Sequence, residues 1–159
     1  MEKDLLLSEE KRDIEILEFI AAGNRYGIDI TDVKEILPVE CHLTKIPNSH
    51  PYIEGIIMPR DFLIPIVDIA KSLKLTTNNK SEHMMIIVSS IKNLNIAFQV
   101  DDVLGMHRTN TEKVTKPGKK LSTAVKEVVT GVLNVESRKL EIIEFRSIIA
   151  AINPNINLG

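Results

Sequence analysis

Two stretches of the sequence are alike without a gap. Tyr26-Gly27-Ile28-Asp29-Ile30-Thr31-Asp32-Val33 lies over Ile96-Ala97-Phe98-Gln99-Val100-Asp101-Asp102-Val103, at an offset of 70 residues. Each alternates large apolar with small or polar residues, then reaches an acid followed by valine. A second pair follows in the same order at an offset of 76: Gly55-Ile56-Ile57 over Gly131-Val132-Leu133, and Ile64, Ile66 and Val67 over Leu140, Ile142 and Ile143. Beyond it, Asp68-Ile69 lies over Glu144-Phe145, and Ser72-Leu73 over Ile148-Ile149. An internal period restricts the fold more than any other sequence feature, because one local pattern must build one supersecondary unit twice. Chance similarity among Ile- and Val-rich strands is the competing explanation, and the shared order and spacing weigh against it. The expectation is two structurally similar lobes, about 14–75 and 82–152, with a leader (1–13) and a tail (153–159).

Local patterns give each lobe short strands. Residues 14–21 are apolar enough for a strand, with Gly23-Asn24 at its turn. Tyr26, Ile28 and Ile30 share one face at period two. Thr31 or Asp32 is read as the cap of a short helix carrying Val33, Ile36 and Leu37, stopped by Pro38. Residues 53–58 and 62–67 read as a hairpin through Pro59-Arg60-Asp61; Pro65 has no amide to donate and is expected at an edge or bulge. Asp68 is placed as the cap of a helix over 69–73. Residues 76–81, with Asn78-Asn79, form the expected boundary between lobes. The second lobe then runs through strands at 84–88, 94–100, 128–135 and 140–145, with turns at Asn93 and Ser137-Arg138. It ends in a helix over 147–152, halted by Pro154. About eight or more short strands with few long helices predict a mainly β protein built of small barrels. Such barrels enclose little volume and offer mostly outer surface, which favours binding over catalysis.

Composition narrows the function. Net charge is −2 over 159 residues, and aromatics make up 4% with no Trp. A nucleic-acid binder shows a basic stripe and stacking platforms; a membrane-surface protein shows a basic amphipathic helix. Neither pattern occurs. One cysteine, Cys41, allows no internal disulfide and suits a reducing cytoplasm. The start, Met1-Glu2-Lys3-Asp4-Leu5-Leu6-Leu7-Ser8, lacks the apolar length of a signal peptide, and no run approaches a membrane span.

The usual catalytic constellations are missing from the sequence. The glycines stand alone, so there is no phosphate-cradling loop. Cys41-His42 are neighbours that a strand would point to opposite faces, and His50, His83 and His107 are dispersed; no metal site is expected. Asp101-Asp102 stands where a strand ends, as does its repeat partner Thr31-Asp32, so backbone capping explains it better than acid–base chemistry. The lysines of 116–120 have no interleaved aromatics and read as a solvated loop.

Several of these segments resemble the CheW-like coupling domains of bacterial chemotaxis. They are Tyr26-Gly27-Ile28-Asp29-Ile30 with Val33-Lys34-Glu35-Ile36; Ile46-Pro47-Asn48 running to Gly55-Ile56-Ile57; and Arg60 with Ile64-Pro65-Ile66-Val67-Asp68-Ile69 and Leu73. In the second half they are Ala97-Phe98-Gln99-Val100-Asp101-Asp102-Val103 and Thr130-Gly131-Val132-Leu133. The resemblance covers about 14–152. The acidic leader, Ser49-His50-Pro51 and Ile152-Asn153-Pro154 are similar to the N-terminal coupling domain of CheV proteins, in which a receiver domain follows; none follows here. The chain is thus either a stand-alone coupling protein or a domain of a longer one. One departure is notable: the family's Asn-Leu-Arg-Gly turn reads Met58-Pro59-Arg60-Asp61, exchanging glycine for a residue less tolerant of positive φ.

The resemblance implies two intertwined five-stranded SH3-like barrels with short helices, no catalytic residues, no cofactor and no metal. It implies an adaptor in the cytoplasm, at chemoreceptor arrays on the inner face of the membrane. There it would join the receptors' cytoplasmic tips to the regulatory domain of the histidine kinase CheA, with no nucleic acid and no membrane insertion. It maps receptor and kinase coupling onto Val33, Glu35, Ile36, Gly55 and Arg60, with Val103 and Leu104 across the lobe junction. A helical hairpin tip docks an apolar stripe into an apolar groove; Glu35 and Arg60 resemble a family ion pair that would set orientation. The rival readings are a small-barrel nucleic-acid module and an enzyme with an unrecognised pocket.

Overall fold

A computed structural model describes residues 11–38, 44–45, 47, 50–58, 63–75, 84–91, 93–117 and 127–152. Their strands are β1 (Asp13–Ala21), β2 (Asn24–Asp29), β3 (Glu35–Pro38), β4 (Ile53–Ile57), β5 (Ile64–Asp68), β6 (Met85–Ile91), β7 (Leu94–Val100), β8 (Asp102–Asn110), β9 (Val114–Thr115), β10 (Val129–Val135) and β11 (Arg138–Ile143). Two helices, α1 (Ile69–Ser72) and α2 (Phe145–Ile152), follow β5 and β11. One sheet runs β8-β1-β2-β11-β10-β9 and the other β3-β6-β7-β5-β4. The first has a sixth strand only because the two-residue β9 joins the edge of β10.

The sheets do not divide the chain at its midpoint. β5 runs parallel to β7, with Ile66 beside Ala97; β11 runs parallel to β2, with Ile142 beside Gly27. Gly27 and Ala97 are related by the first sequence offset, Ile66 and Ile142 by the second. Likewise β8 pairs with β1 as β3 pairs with β6, so each sheet joins a hairpin from one half of the chain to a hairpin from the other. The internal repeat is therefore also a structural repeat, and its units are intertwined.

Burial explains the near-continuous apolar runs of the strands, because most strands are covered on both faces. In β1, Ile14 and Ile16 point into the first barrel with Val114, Leu133, Leu140 and Ile142, while Leu17, Phe19 and Ala21 point into a larger core between the sheets. The second barrel is filled by Ile57, Ile64, Ile66, Ile86, Val88 and Ala97. The inter-sheet core gathers Phe19, Phe98 and Phe145, with the last two rings stacked at 3.8 Å between centroids. Burying a side chain of this kind is worth roughly 1.5–3 kcal/mol. That core fixes how the two barrels sit together.

Several local expectations hold. Asp68 caps α1 by accepting from the Lys71 amide, and Asn93 turns the chain at φ 66. Pro65 lies in an interior strand, but at the point where β5 is paired with β4 alone, since the β7 ladder begins at Ile66. The helix expected over 31–37 does not form. Asp29, not Thr31 or Asp32, caps a single 3₁₀ turn over Ile30–Asp32, and Glu35–Pro38 is strand β3. The reason is tertiary: Lys34 N donates to Val88 O at 2.7 Å and Glu35–Pro38 completes the edge of β6, which a helix would leave unpaired. Asp102 opens strand β8, and its carboxylate accepts from the Val103 amide at 2.8 Å, the backbone capping expected at this strand end. The Pro59-Arg60-Asp61 turn, the boundary at 76–81, Cys41-His42, His83 and Pro154 lie outside the described residues.

Candidate protein-docking face

Of the seven positions that the resemblance singles out, six fall on described residues. Arg60 lies outside them, so the Glu35–Arg60 pairing does too. Val33 precedes β3, and Ile36 lies within it; both are half-buried and pack against the inter-sheet core, as does Val103 at the start of β8. Val33 and Val103 are related by the offset of 70, so the two repeat units present equivalent valines to one core. Glu35, half-buried, stands opposite Val88 in the β3–β6 ladder. Gly55 is buried on β4, at a bulge between Ile53 and Gly55, and its φ is 157°, a conformation that favours glycine. It belongs to the opposite end of its sheet's strand order from β3.

Leu104 differs from the rest. In the β1–β8 ladder Phe19 pairs with Val103 and Glu18 with Gly105, so Leu104 is the extra residue of a β-bulge. It is 41% exposed, and Met106 on the same strand is 52% exposed. β8 ends its sheet's strand order, which leaves this apolar pair on an edge. Met106 was not named from the sequence. The signal was there, since Met106 is the repeat partner of Ile36, but β8 had not been read as a strand. Met58, after β4, and Leu63, before β5, are 60% and 63% exposed, and these exposed apolar residues were also missed from the sequence.

Charged groups border the face. Arg146 Nη2 of α2 approaches Asp32 Oδ1 at 4.0 Å, tying the 3₁₀ turn to the second half of the chain. An open groove of about 740 Å³ lies beside the 3₁₀ turn and the far end of β8, where Arg12, Arg108 and Lys113 alternate with Asp13, Glu15 and Asp29. Its balanced charge and open form give no nucleophile–base pair and no basic track. His50 is occupied locally, its Nδ1 accepting from the Tyr52 amide at 3.1 Å.

One charged cluster was not anticipated. Glu18, 1% exposed, sits at the end of the first barrel. Its carboxylate accepts from Arg138 of β11 (2.8 and 3.2 Å), from His107 Nε2 of β8 (2.6 Å) and from Arg25 of β2 (3.0 Å). Burial alone raises the carboxyl's pKa; the bonds from Arg138, His107 and Arg25 together outweigh it and hold the group at about 2. These residues stand on four different strands, β1, β2, β8 and β11, and only the register brings them together.

Two intertwined small barrels carrying an apolar, partly exposed face along the sheet edges define a scaffold that binds another protein. The family follows from comparison: a family model described as a CheW-like domain matches residues 15–153, and the chain belongs to that family. Chemotaxis protein CheW of Bacillus subtilis is 26% identical over 147 residues, covering 91% of this chain and 92% of that protein. Chemotaxis protein CheV3 of Helicobacter pylori is 29% identical over 157 residues, and there the match spans only 49% of the relative. The crystal structure of the scaffolding protein TtCheW from Thermoanaerobacter tengcongensis superposes with a TM-score of 0.75 at 28% identity, covering 84% of this chain and 90% of that one.

Proposed function

We propose that this chain is a non-enzymatic chemotaxis adaptor that couples the cytoplasmic tips of chemoreceptors to the regulatory domain of CheA. The observation that carries the reading is the family match over 15–153, joined to a face whose apolar residues recur at repeat-related positions in both sheets. A receptor tip is a helical hairpin; the exposed Leu104 and Met106 of edge strand β8, with the half-buried Val33, Ile36 and Val103, are the apolar residues that such a helix would cover. Glu35 and Arg60 would set the orientation of docking, since charge complementarity across a docking face gives specificity more than affinity. The coupling would take place in the cytoplasm at receptor arrays; no helix among the described residues is long and apolar enough to cross a membrane. The nucleic-acid alternative gains no support from the mixed charge of the surface groove.

The test is separate pull-downs of the chain, and of its Arg60→Ala variant, with a chemoreceptor cytoplasmic fragment and with CheA. Binding of the wild type to both, and a weakened receptor interaction in a folded Arg60→Ala, support the reading. A folded wild type that binds neither partner overturns it.

A further inference from the structure

The two barrels share one register, so positions related by the repeat can be compared. Where the second barrel turns Val88 and Leu37 inward, the first turns Glu18 and His107 inward, both at the offset of 70. Val88 and Leu37 belong to the second barrel's apolar filling. The architecture thus accepts apolar residues at these two places. The first barrel nevertheless encloses a carboxylate there and satisfies it from three neighbouring strands. Removing an ion from water is costly, and a buried ion pair is weak evidence for stability as such. A polar network in this setting specifies one arrangement of the strands it joins.

The strand that gains most is β8. It ends the sheet's strand order, and its bulge begins three residues before His107, at Leu104-Gly105. Gly105 has φ 155°, and a Cβ built there would meet nothing within 4 Å, so nothing packs over the bulge at that position. The His107–Glu18 bond is the side-chain link that ties β8 to the cluster. Arg25 and Arg138 link Glu18 to β2 and β11 instead.

The geometry points to Glu18 as a positioning residue for the docking face: by holding His107 it fixes β8 beside the bulge, and with it the direction in which Leu104 and Met106 are presented. The inference rests on the coupling reading of that face. It separates the cluster's members by role. Arg25 and Arg138 neutralise the carboxylate and keep the barrel closed; His107 transmits its position to the edge strand.

The experiment uses the wild type, His107→Ala, His107→Gln and Leu104→Asp. It records amide hydrogen exchange along β8 and the affinity for the chemoreceptor fragment and for CheA. His107→Ala keeps both arginine bonds and is expected to remain folded. Its amides around the bulge should exchange about tenfold faster while β2, β10 and β11 stay protected. Its affinity for at least one partner should fall about five- to tenfold, and His107→Gln, whose amide can donate to Glu18, should restore both. Wild-type exchange in His107→Ala overturns the inference. So does faster exchange with unchanged binding in a protein whose binding Leu104→Asp abolishes. Should the wild type bind neither partner, the coupling reading fails, and the exchange data alone still decide whether Glu18 holds β8.

Discussion

Gly27→Ala is the substitution whose cost follows most directly from the strand exchange. Gly27 lies on β2 with its α-carbon facing the first barrel, next to Ile142 of β11. A Cβ there would stand 2.5 Å from Ile16 Cγ2 and 3.1 Å from Leu140 Cδ2. Comfortable carbon–carbon separation is ~3.5–4 Å, so Ile16 must retreat by about 1 Å. Its side chain is branched at Cβ and therefore stiff, and it is fully buried. Overpacking of this kind costs ~1–3 kcal/mol, against a backbone gain of ~0.5–1 kcal/mol on replacing a strand glycine. The net is a destabilisation of about 1–2 kcal/mol, or a fall in Tm of roughly 2–8 °C for a chain this long. The assay is urea and thermal unfolding followed by circular dichroism. Ile16→Leu moves the branch away from Cβ, so Gly27→Ala/Ile16→Leu should recover stability, with a coupling energy of about 1 kcal/mol. The second barrel supplies a control, because it already has alanine at the equivalent Ala97. Ala97→Gly should destabilise as well, by about 1 kcal/mol through lost burial and chain entropy. A Gly27→Ala protein as stable as the wild type would show that β2 does not pass between Ile16 and Leu140, and the intertwined arrangement would fall with it.

Acid should destabilise the protein through Glu18. Its folded pKa of about 2 lies below the ordinary 4.5, so its contribution is full above pH ~4.5 and is lost as pH falls towards 2, amounting to about 3 kcal/mol at most. Glu18→Gln should flatten that limb of a urea-stability profile, and an unchanged limb would refute the assignment. Leu104→Asp and Met106→Asp should leave Tm within about 2 °C, since both sites are exposed, yet weaken partner binding at least about tenfold in calorimetric titration. Ser137→Gly should stabilise by about 0.5–1 kcal/mol, because Glu136 and Ser137 both have positive φ in the β10–β11 turn. A loss of stability there would mean that the serine side chain matters more than its backbone.

The repeat was legible because strands buried on two faces leave long Ile/Val runs, and Tyr26–Val33 and Ile96–Val103 carry the same run. Capping by Asp68 and the turn at Asn93 were legible for local reasons. β3 was misread because Val33, Ile36 and Leu37 fit a helical spacing; only the open edge of β6, about 50 residues away, decides that they form a strand. β8 was missed because Leu104-Gly105-Met106-His107-Arg108 has no clean alternation, and the bulge shifts its phase. Missing β8 concealed Met106 and the inward direction of His107. The Glu18 cluster was invisible for a related reason: Glu18 and Arg138 are 120 residues apart and meet only through the β11–β2 pairing between the repeats. Val33, Ile36, Val103 and Leu104 could be named from the resemblance, whereas their half-buried or exposed state had to come from packing.

The account's central claim is that this chain joins two partners. The direct measurement is reconstitution of a receptor cytoplasmic fragment with CheA, with and without the chain, followed by co-sedimentation. The account predicts that CheA sediments with the receptor fragment in proportion to the added chain, and that Leu104→Asp, folded by circular dichroism, lowers that yield. CheA recovery that is the same in the absence and presence of folded wild-type chain would contradict it.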